Sequence, residues 1–212
     1  EFTASRLNAI LNIPKEKIEV VSNGVSHEFF GNHEKDIGKV VFVGRLTPHK
    51  HAHDLLIQSF MEASKIIPWL HLCIIGDGPL APLIEQKAMK LKNVRVYVNL
   101  PTEELIRHVK SSMIACFPSE LEGDGIAAKE TLAAGCPVVT TNFDLNAIAH
   151  NLVINDFNGY VVQPEPRLIS EGIVKAIKNW DILHENCPES VKEFSWDSSV
   201  KHLERVYEEV IS

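Results

Sequence analysis

Short apolar runs that alternate with longer amphipathic segments are the feature that most constrains the fold of this chain. Strands are predicted at residues 39–43, 71–75, 94–98, 113–117 and 137–141, with a weaker one at 160–162. Helical spacing predicts helices between them, near residues 53–67, 80–91, 103–111, 126–134 and 145–151. Strands that are apolar throughout and separated by helices are typical of a parallel sheet covered on both faces. The pattern predicts an α/β domain with a Rossmann-like, doubly wound parallel sheet.

Both ends of the chain differ from this regular pattern. Residues 1–12 have apolar positions at helical spacing and predict a helix, which is followed by a predicted strand at residues 18–21. Residues 31–38 are polar, and we interpret them as a linker. Residues 167–212 are predicted to be mainly helical, with a break at residues 194–196 before a final amphipathic helix.

The composition fits one ordinary globular domain, or two very small ones. Of the 212 residues, 45% are hydrophobic and 23% are charged, so the chain can bury one sizeable core. It has 21 Lys and Arg residues against 28 Asp and Glu residues, which gives a formal net charge of −7. Nonspecific binding of nucleic acid draws on a basic surface, so nucleic acid is not an expected partner.

Targeting signals and cysteines indicate where such a chain is expected to work. No apolar run approaches the roughly 18 residues that a membrane-spanning helix needs, and the first residues show no signal-peptide pattern. Four cysteines are scattered without CxxC spacing, at Cys73, Cys116, Cys136 and Cys187. We interpret the first three as reduced thiols in apolar surroundings, which favours a cytoplasmic location.

Two cations follow the first predicted strand of the sheet. In a doubly wound sheet, ligands bind beyond the carboxyl ends of the strands. Gly44 stands at that edge and allows close approach to the backbone, and Arg45 and Lys50 follow it. A guanidinium can donate to two phosphate oxygens while an ammonium supplies a point charge, so this segment suits a pyrophosphate. Taken alone, two solvated surface cations explain the segment equally well.

A second anion-binding feature follows the fourth predicted strand. Gly123 and Gly125 precede a predicted helix, and their turn exposes backbone N–H groups at its amino end, where an anion is favoured. Glu122 lies before this turn, and Glu130 lies about one turn inside the helix. Carboxylates beside an anion site are expected to accept hydrogen bonds from sugar hydroxyls. Alone, such a pair is more often a solvated surface feature, but its combination with the two cations favours a sugar-phosphate ligand.

Two further motifs suggest other ligands. Residues 76–81 match GxGxxA, the dinucleotide fingerprint, but no acidic residue ends the next predicted strand to bind a ribose. We therefore interpret the motif as a tight strand-to-helix turn, with Pro79 at the first helical position. His49, His51 and His53 occupy alternate positions in the segment after the first predicted strand of the sheet. Because that segment leads into a helix, the three are not expected to share one face, and no metal site is predicted.

Several short motifs occur along the chain in a fixed order. They are Asn23-Gly24-Val25, Gly44-Arg45-Leu46 with Lys50, Gly76-Asp77-Gly78-Pro79, Pro118-Ser119, the pair Glu122 and Glu130, and Gly135-Cys136-Pro137-Val138-Val139. Together they resemble the carboxy-terminal, donor-binding half of a retaining GT-B glycosyltransferase of family 4, also called group 1. The likeness covers nearly the whole chain and includes residues 194–196 with the helix that follows them.

The resemblance implies roles for the charged residues of the candidate site. Arg45 and Lys50, with Gly44 beside them, would neutralise the diphosphate of the donor. Glu130 would accept hydrogen bonds from the ribose hydroxyls, and Glu122 would contact the donor hexose. Arg45, Lys50 and Glu122 are the predicted catalytic residues, since charge that develops on the departing diphosphate must be stabilised.

Backbone groups complete the site that the resemblance implies. The amides of four consecutive residues would hold the sugar and the distal phosphate: Gly123, Asp124, Gly125 and Ile126. The loop that contains Asn99 and Leu100 would border the base, mainly through its main chain. Where the family commonly has Glu-Gly-Phe-Gly, this chain has Asp124 in place of the aromatic residue. That carboxylate would oppose donor binding if it pointed inward.

The reaction that the resemblance implies is transfer of a hexose, with retention, from a UDP-, GDP- or ADP-sugar to an acceptor hydroxyl. The acceptor would be a sugar, a lipid-linked molecule or another alcohol, and neither a cofactor nor a metal is expected. Residues 1–22 would be a remnant of the acceptor domain and its crossover, and residues 23–193 the nucleotide-sugar-binding domain. Residues 194–212 would form a helix that packs back toward the acceptor domain, which is the expected protein partner.

The remaining expectations concern the protein as a whole. The donor-binding half alone is expected to be inactive or nearly so, because the acceptor would bind across a cleft to the other domain. Peripheral association with the inner membrane face would depend on that domain. Two other functions stay open: a noncatalytic sugar-nucleotide-binding or scaffolding subunit, for which Asp124 is the best support, and another GT-B enzyme such as a sugar-nucleotide epimerase or a phosphorylase.

Overall fold

A six-stranded parallel sheet forms the centre of the molecule. The structure, a computed structural model, describes residues 2–31, 33–48 and 52–211. Its strands are β1 (Lys39–Val43), β2 (His71–Ile75), β3 (Val94–Tyr97), β4 (Ile114–Phe117), β5 (Leu121–Glu122), β6 (Val138–Thr141), β7 (Leu145–Asn146) and β8 (Gly159–Val162). Six of them are hydrogen bonded in the order β3-β2-β1-β4-β6-β8, and β5 pairs with β7 in a small second sheet. Every pairing is parallel.

Helices connect the strands and cover both faces of the sheet. They are α1 (Phe2–Leu11), α2 (Ala52–Ile66), α3 (Ala81–Ala88), α4 (Thr102–Lys110), α5 (Ile126–Ala133), α6 (Ala147–Asn151), α7 (Pro166–Lys178), α8 (Trp180–Asn186) and α9 (Trp196–Ile211). Short 3₁₀ helices lie at Lys15–Lys17, His27–Phe29 and Glu189–Val191. The residues of β4 and β6 are all buried, as expected for central strands with helices on both sides. Helices α2 and α7 pack against each other and against β4, and α5 packs against β4 and β6.

The strand order decides where a ligand site can form. Along the chain, the sheet grows from β1 through β2 to β3 and then returns to β4, which pairs with the other side of β1. The carboxyl ends of β1 and β4 therefore lie side by side at the topological switch point, where α/β sheets bind ligands. The predicted doubly wound α/β fold is confirmed, with each predicted strand and helix of this region present within a few residues of its expected ends.

Outside that pattern, one strand predicted among the described residues is absent, and one pair of short strands was not predicted. Residues 18–21 do not form a strand, because no described strand lies beside them to complete a hydrogen-bonded ladder. The paired strands β5 and β7 were not predicted, since each has only two residues and shows no alternation of polar and apolar side chains.

The GxGxxA segment is a tight turn that packs against the loop after β1. The amide of Leu46 donates to the carbonyl of Asp77 at 2.8 Å, and a Cβ atom at Gly76 would overlap the carbonyl oxygen of Gly44. Glycine is therefore required by the protein's own packing, as the interpretation of a structural turn predicts. The position of Pro79 was predicted wrongly: it lies in the turn, and α3 begins two residues later.

The burial of the cysteines and the hydropathy of the helices bear on the expectations about thiols and membrane spans. All four cysteines are buried and free of disulfides, and the prediction for the first three is confirmed. Among the described residues, no helix has both the length and the hydropathy needed to cross a lipid bilayer.

Candidate functional site

A cavity of about 320 Å³ opens at the carboxyl ends of β1 and β4. Gly44 and Arg45, which follow β1, line it together with Gly125 and Ile126 at the amino end of α5. Its other lining residues are largely apolar and include Phe42, Phe117 and Ile148. Two features that lie about 80 positions apart in the sequence thus meet in one cavity.

Backbone hydrogen bonds hold the loop that carries Arg45. The amide of Gly44 donates to the carbonyl of Ile75 at 3.0 Å, and the carbonyl of Leu46 accepts from Leu80 at 3.0 Å. Leu46 is fully buried while Arg45 between them is exposed. The loop after β1 is therefore anchored on both sides of Arg45, and the guanidinium has access to the cavity.

Gly125 forms the turn that starts α5. Its φ of +75° is in the left-handed region, and a Cβ atom there would lie 2.7 Å from Cγ1 of Ile148 and 3.1 Å from Cδ1 of Leu152. Both facts require glycine at this position. The first amides of a helix have no intrahelical acceptor, and Ile126 and Ala127, the first residues of α5, line the cavity. The amino end of α5 can therefore accept an anion.

Glu122 reaches the same cavity from the small second sheet. It lies in β5 and pairs in register with Asn146 of β7. The amide group of Asn146 is fully buried, where its Nδ2 donates to the carbonyl of Thr141 at 2.8 Å and its Oδ1 accepts from the amide of Ile148 at 3.2 Å. One buried asparagine thus links the end of β6, the strand beside Glu122 and the start of α6.

Asp124 lines the cavity, but its carboxylate is already paired. Nζ of Lys129 donates to its Oδ1 at 2.7 Å, and Nδ2 of Asn23 donates to its Oδ2 at 2.8 Å. The side chain of Asp124 is 35% exposed and that of Lys129 only 2%. The carboxylate of Asp124 is therefore held by two partners, one of them cationic.

Glu130 is the titratable group of α5 whose protonation is most altered by the fold. Burial raises the pKa of its carboxyl from 4.5 to about 7, because the charged form loses water that the surrounding protein does not replace. Among the described residues, no side chain or backbone group donates a hydrogen bond to it within the distances that define such bonds. Glu130 is half-buried and is not among the residues that line the candidate cavity. A desolvated acceptor of this kind suits a ligand that brings hydroxyl donors.

Several predicted site residues lie outside this cavity or outside the described residues. Asn99, at φ +54°, and Leu100 follow β3 and do not line it. Gly123 is exposed and borders a larger cavity nearby, of about 980 Å³, which Asp124 also lines. Lys50 lies outside the described residues, so its place in the site stays a prediction.

The part of the chain that the structure describes contains no cluster of side chains suited to binding a metal ion. There, no group of three or more His, Cys, Asp or Glu side chains is placed to hold a metal ion. His49 and His51 lie outside the described residues, and His53 is buried in α2 with its ring edge-on to Phe42.

Sequence reasoning missed the partners of Asp124. Helical spacing alone predicts only that Lys129 lies in a helix. The stretch before Glu130 is otherwise mainly apolar, and a lysine there indicates a buried cation whose charge an acid must compensate. The side chain of Asn23 had no such signal, because it meets Asp124 across 101 positions of sequence. Ser119, which is 1% exposed and lines the cavity, was noted only as part of a motif.

A second polar cavity, of about 460 Å³, lies elsewhere on the sheet, next to β2 and β3. Its buried Lys39 donates from Nζ to Oγ of Ser111 at 2.8 Å and lies 3.2 Å from Nδ1 of His108. Burial lowers the pKa of both Lys39 and His108. Burial also raises the pKa of the neighbouring Cys73 thiol to about 11, which leaves it protonated and unreactive at neutral pH.

Comparison with known proteins identifies a family for most of the chain. The family described as glycosyl transferases group 1 matches residues 26–194. An uncharacterized glycosyltransferase of Methanocaldococcus jannaschii is 30% identical over 202 residues, which are 92% of this chain and 55% of that protein. The chain therefore spans about half the length of this relative.

Solved structures share the fold at low sequence identity. A glycosyltransferase from Rickettsia africae superposes with a TM-score of 0.81 at 17% identity, covering 100% of this chain and 62% of the other. A variant of TarM from S. aureus, solved in complex with fondaparinux, alpha-GlcNAc-glycerol and UDP, gives a TM-score of 0.82 at 19% identity. That match covers 96% of this chain and 42% of TarM. At these identities the likeness establishes the fold.

Proposed function

The chain belongs to the group 1 glycosyl transferases, and from that premise we propose that it binds a nucleoside-diphosphate sugar between Arg45 and the amino end of α5. The whole protein would then transfer the hexose, with retention, to an acceptor hydroxyl. One observation carries the proposal: a fixed cation and a helix amino end line the same cavity at the topological switch point of the sheet. Both favour an anion, and a diphosphate has the size and charge to reach the two together.

The proposed reaction places developing charge where this cavity can stabilise it. The bond between the anomeric carbon and the distal phosphate oxygen breaks, and its electron pair leaves with the diphosphate. The acceptor oxygen bonds to the anomeric carbon on the face from which the diphosphate leaves, and its proton passes to the departing diphosphate oxygen. Arg45 and the first amides of α5, together with Lys50, would stabilise the negative charge that builds on the diphosphate. Because these groups belong to the protein, we propose that no metal ion is required.

The two glutamates would recognise the sugars of the donor. Glu130 is half-buried, and its carboxylate accepts no hydrogen bond from the described residues, so ribose hydroxyls would supply the donors that it lacks. Glu122 lines the cavity and would contact the hexose. The backbone of Asn99 and Leu100 would border the base. The TarM complex contains UDP, which makes UDP-sugars the first donors to test here.

The alternative of a noncatalytic binding subunit rested on Asp124. Its carboxylate is neutralised by Lys129 at 2.7 Å, which removes the electrostatic reason for expecting a weakened donor site. The division of the chain at residues 22 and 193, and the contact of the last helix with an acceptor domain, stay predictions. So does the expectation that this chain alone transfers little or no sugar.

Donor binding by this chain is the direct test, with an arginine of matched exposure as the control. UDP-, GDP- and ADP-glucose are titrated by calorimetry against the unmodified chain, Arg45→Ala and Arg95→Ala. Arg45 lines the candidate cavity, while Arg95 is exposed on β3 and lines the second polar cavity. We expect Arg45→Ala to weaken binding of the preferred donor by about 1.5–3 kcal/mol, roughly ten- to a hundredfold.

Arg95→Ala should leave the dissociation constant within about twofold, since surface charges far from a ligand contribute little. Equal effects of the two substitutions, or the failure of every nucleotide sugar to bind the unmodified chain, would contradict the proposed donor site. Adding a chelator should leave donor binding unchanged if the diphosphate is neutralised by the protein alone.

A further inference from the structure

Lys129 is a buried cation in the helix that forms one side of the candidate donor site. Lys129 is 1% exposed, and its neighbours in α5 include Ala128 and Leu132, which are fully buried. Taking a charged side chain out of water is costly, so a buried lysine requires a compensating charge. Asp124 supplies that charge through the contact between Nζ and Oδ1 at 2.7 Å.

The pair joins three segments that are far apart in sequence. Besides Asp124, Nζ of Lys129 contacts the carbonyl oxygen of Asn23 at 3.4 Å and lies 4.5 Å from the ring centroid of Phe194. Asn23 in turn donates to the second oxygen of Asp124 at 2.8 Å. Both carboxylate oxygens are thereby engaged, one by a cation and one by an amide. Asp124 has little freedom to turn toward the space that borders Arg45.

Asp124 stands where its charge would matter most. It lines the same cavity as Arg45 and Ile126, within the two-glycine turn whose amides are proposed to hold the distal phosphate. An unpaired carboxylate at this point would repel a diphosphate and would compete with it for Arg45. The pairing with Lys129 therefore bears on the site itself as well as on the stability of the helix.

We infer that Lys129 is a positioning residue, which holds the Asp124 carboxylate and the turn from Gly123 to Gly125 in the arrangement that admits a diphosphate. The inference rests on the proposed function. It deepens that function by assigning donor affinity to a side chain that does not touch the donor. Asp124 places an acid in the turn beside the proposed phosphate site, and Lys129 is the compensation that keeps the site usable.

A double-mutant cycle that neutralises each charge separates this role from a merely structural one. The variants are Lys129→Met, which keeps the length of the side chain, Asp124→Asn, which keeps the shape of the carboxylate, and the double variant. The glucose nucleotide that binds the unmodified chain best is titrated against each, and thermal unfolding is followed in parallel. Lys129→Met should weaken binding about tenfold, because it leaves an unpaired carboxylate beside the diphosphate.

The double variant should regain an affinity within about threefold of the unmodified chain, since the repelling charge is gone. Asp124→Asn alone leaves the buried Lys129 without its counter-charge, so its midpoint of thermal unfolding should fall further than that of the double variant. A merely structural pair would lower the midpoint of unfolding in all variants and would show no recovery of affinity in the double variant.

The outcomes separate this inference from the proposed function. If Arg45→Ala weakens binding while Lys129→Met does not, the donor site stands and the role of Lys129 is refuted. Should Lys129→Met fail to fold, the double variant still decides: it has neither charge, and a tenfold loss of affinity in that variant contradicts the inference. If no glucose nucleotide binds the unmodified chain, the proposed function fails and this inference fails with it.

Discussion

At the scale of single residues, the burial of Glu130 makes the stability of the protein depend on pH. Its carboxyl has a pKa of about 7 in the folded protein, against 4.5 for an exposed glutamate, and burial is the cause. Between these two values the folded state holds a proton that the unfolded state has released. Since the folded state binds more protons there, the free energy of unfolding falls as the pH rises from about 4.5 to about 7.

Replacing this carboxyl by a neutral amide should therefore stabilise the free protein in a pH-dependent way. Glu130→Gln is expected to raise the midpoint of thermal unfolding at pH 8 and to have little effect near pH 3, where the carboxyl is protonated in both states. Thermal unfolding at several pH values measures the difference. Glu103→Gln, on the exposed side of α4, is the control and should show no such trend.

The same substitution should have the opposite effect on the donor complex, because an amide accepts hydroxyl hydrogen bonds less strongly than a carboxylate. A variant that is stabilised without ligand and binds the donor more weakly would match the role proposed for Glu130. A difference from the unmodified chain that stays constant between pH 5 and pH 8 would show that its burial does not control its ionisation.

At the scale of elements, the start of α5 contains two glycines with different requirements. Gly125 has a φ of +75°, and a Cβ atom there would lie 2.7 Å from Ile148. Gly123 does not have a positive φ, and within the described residues no heavy atom lies within 4 Å of a Cβ placed there. The fold explains the first glycine. No such contact requires the second, and the turn is proposed to hold a phosphate through its amides.

Alanine at each position should separate folding from binding. Gly125→Ala should lower the midpoint of unfolding by about 4–8 °C, as expected for a loss of about 2 kcal/mol in a chain of this size. Gly123→Ala should leave the midpoint within about 1 °C and should weaken donor binding about tenfold, because a methyl group would take the space of the phosphate. Each variant is the control for the other in calorimetry and thermal unfolding. Donor binding unchanged in Gly123→Ala would argue against a ligand at this turn.

At the scale of the whole molecule, the last helix adds little to the core. None of the residues of α9 is buried, and Trp196 and Tyr207 are 50% and 58% exposed. The chain just before α9 is bound more firmly. The carbonyl of Phe194 accepts from the amide of Val25 at 2.7 Å, and its ring lies over the ammonium of Lys129.

Two shortened chains should show this difference. Removing residues 200–212 is expected to change the midpoint of thermal unfolding by less than about 3 °C, because it removes mostly exposed side chains and the surface pair of His202 with Glu19. Removing residues 194–212 should lower it by more than about 4 °C, since it also uncovers Lys129 and frees Val25. Equal losses in the two chains would mean that α9 itself stabilises the fold.

How far the sequence alone reaches depends on the range of the contacts involved. The order of the strands and helices follows from periodicity within windows of ten to twenty residues, so the doubly wound sheet could be predicted. The edge position of Arg45 and the helix start near Gly125 follow directly from that order. Residues 18–21 have the composition of a strand, but only the assembled sheet shows that no neighbouring strand is available to them.

The tertiary structure decided what depends on meetings between distant residues. Asn23 and Asp124 are 101 positions apart, and the direction of that carboxylate depends on their contact and on the burial of Lys129. The high pKa of Glu130 likewise comes from surroundings that no local pattern encodes. Secondary structure is written in local spacing, whereas charge pairing and desolvation arise only when the packed chain excludes water from particular atoms.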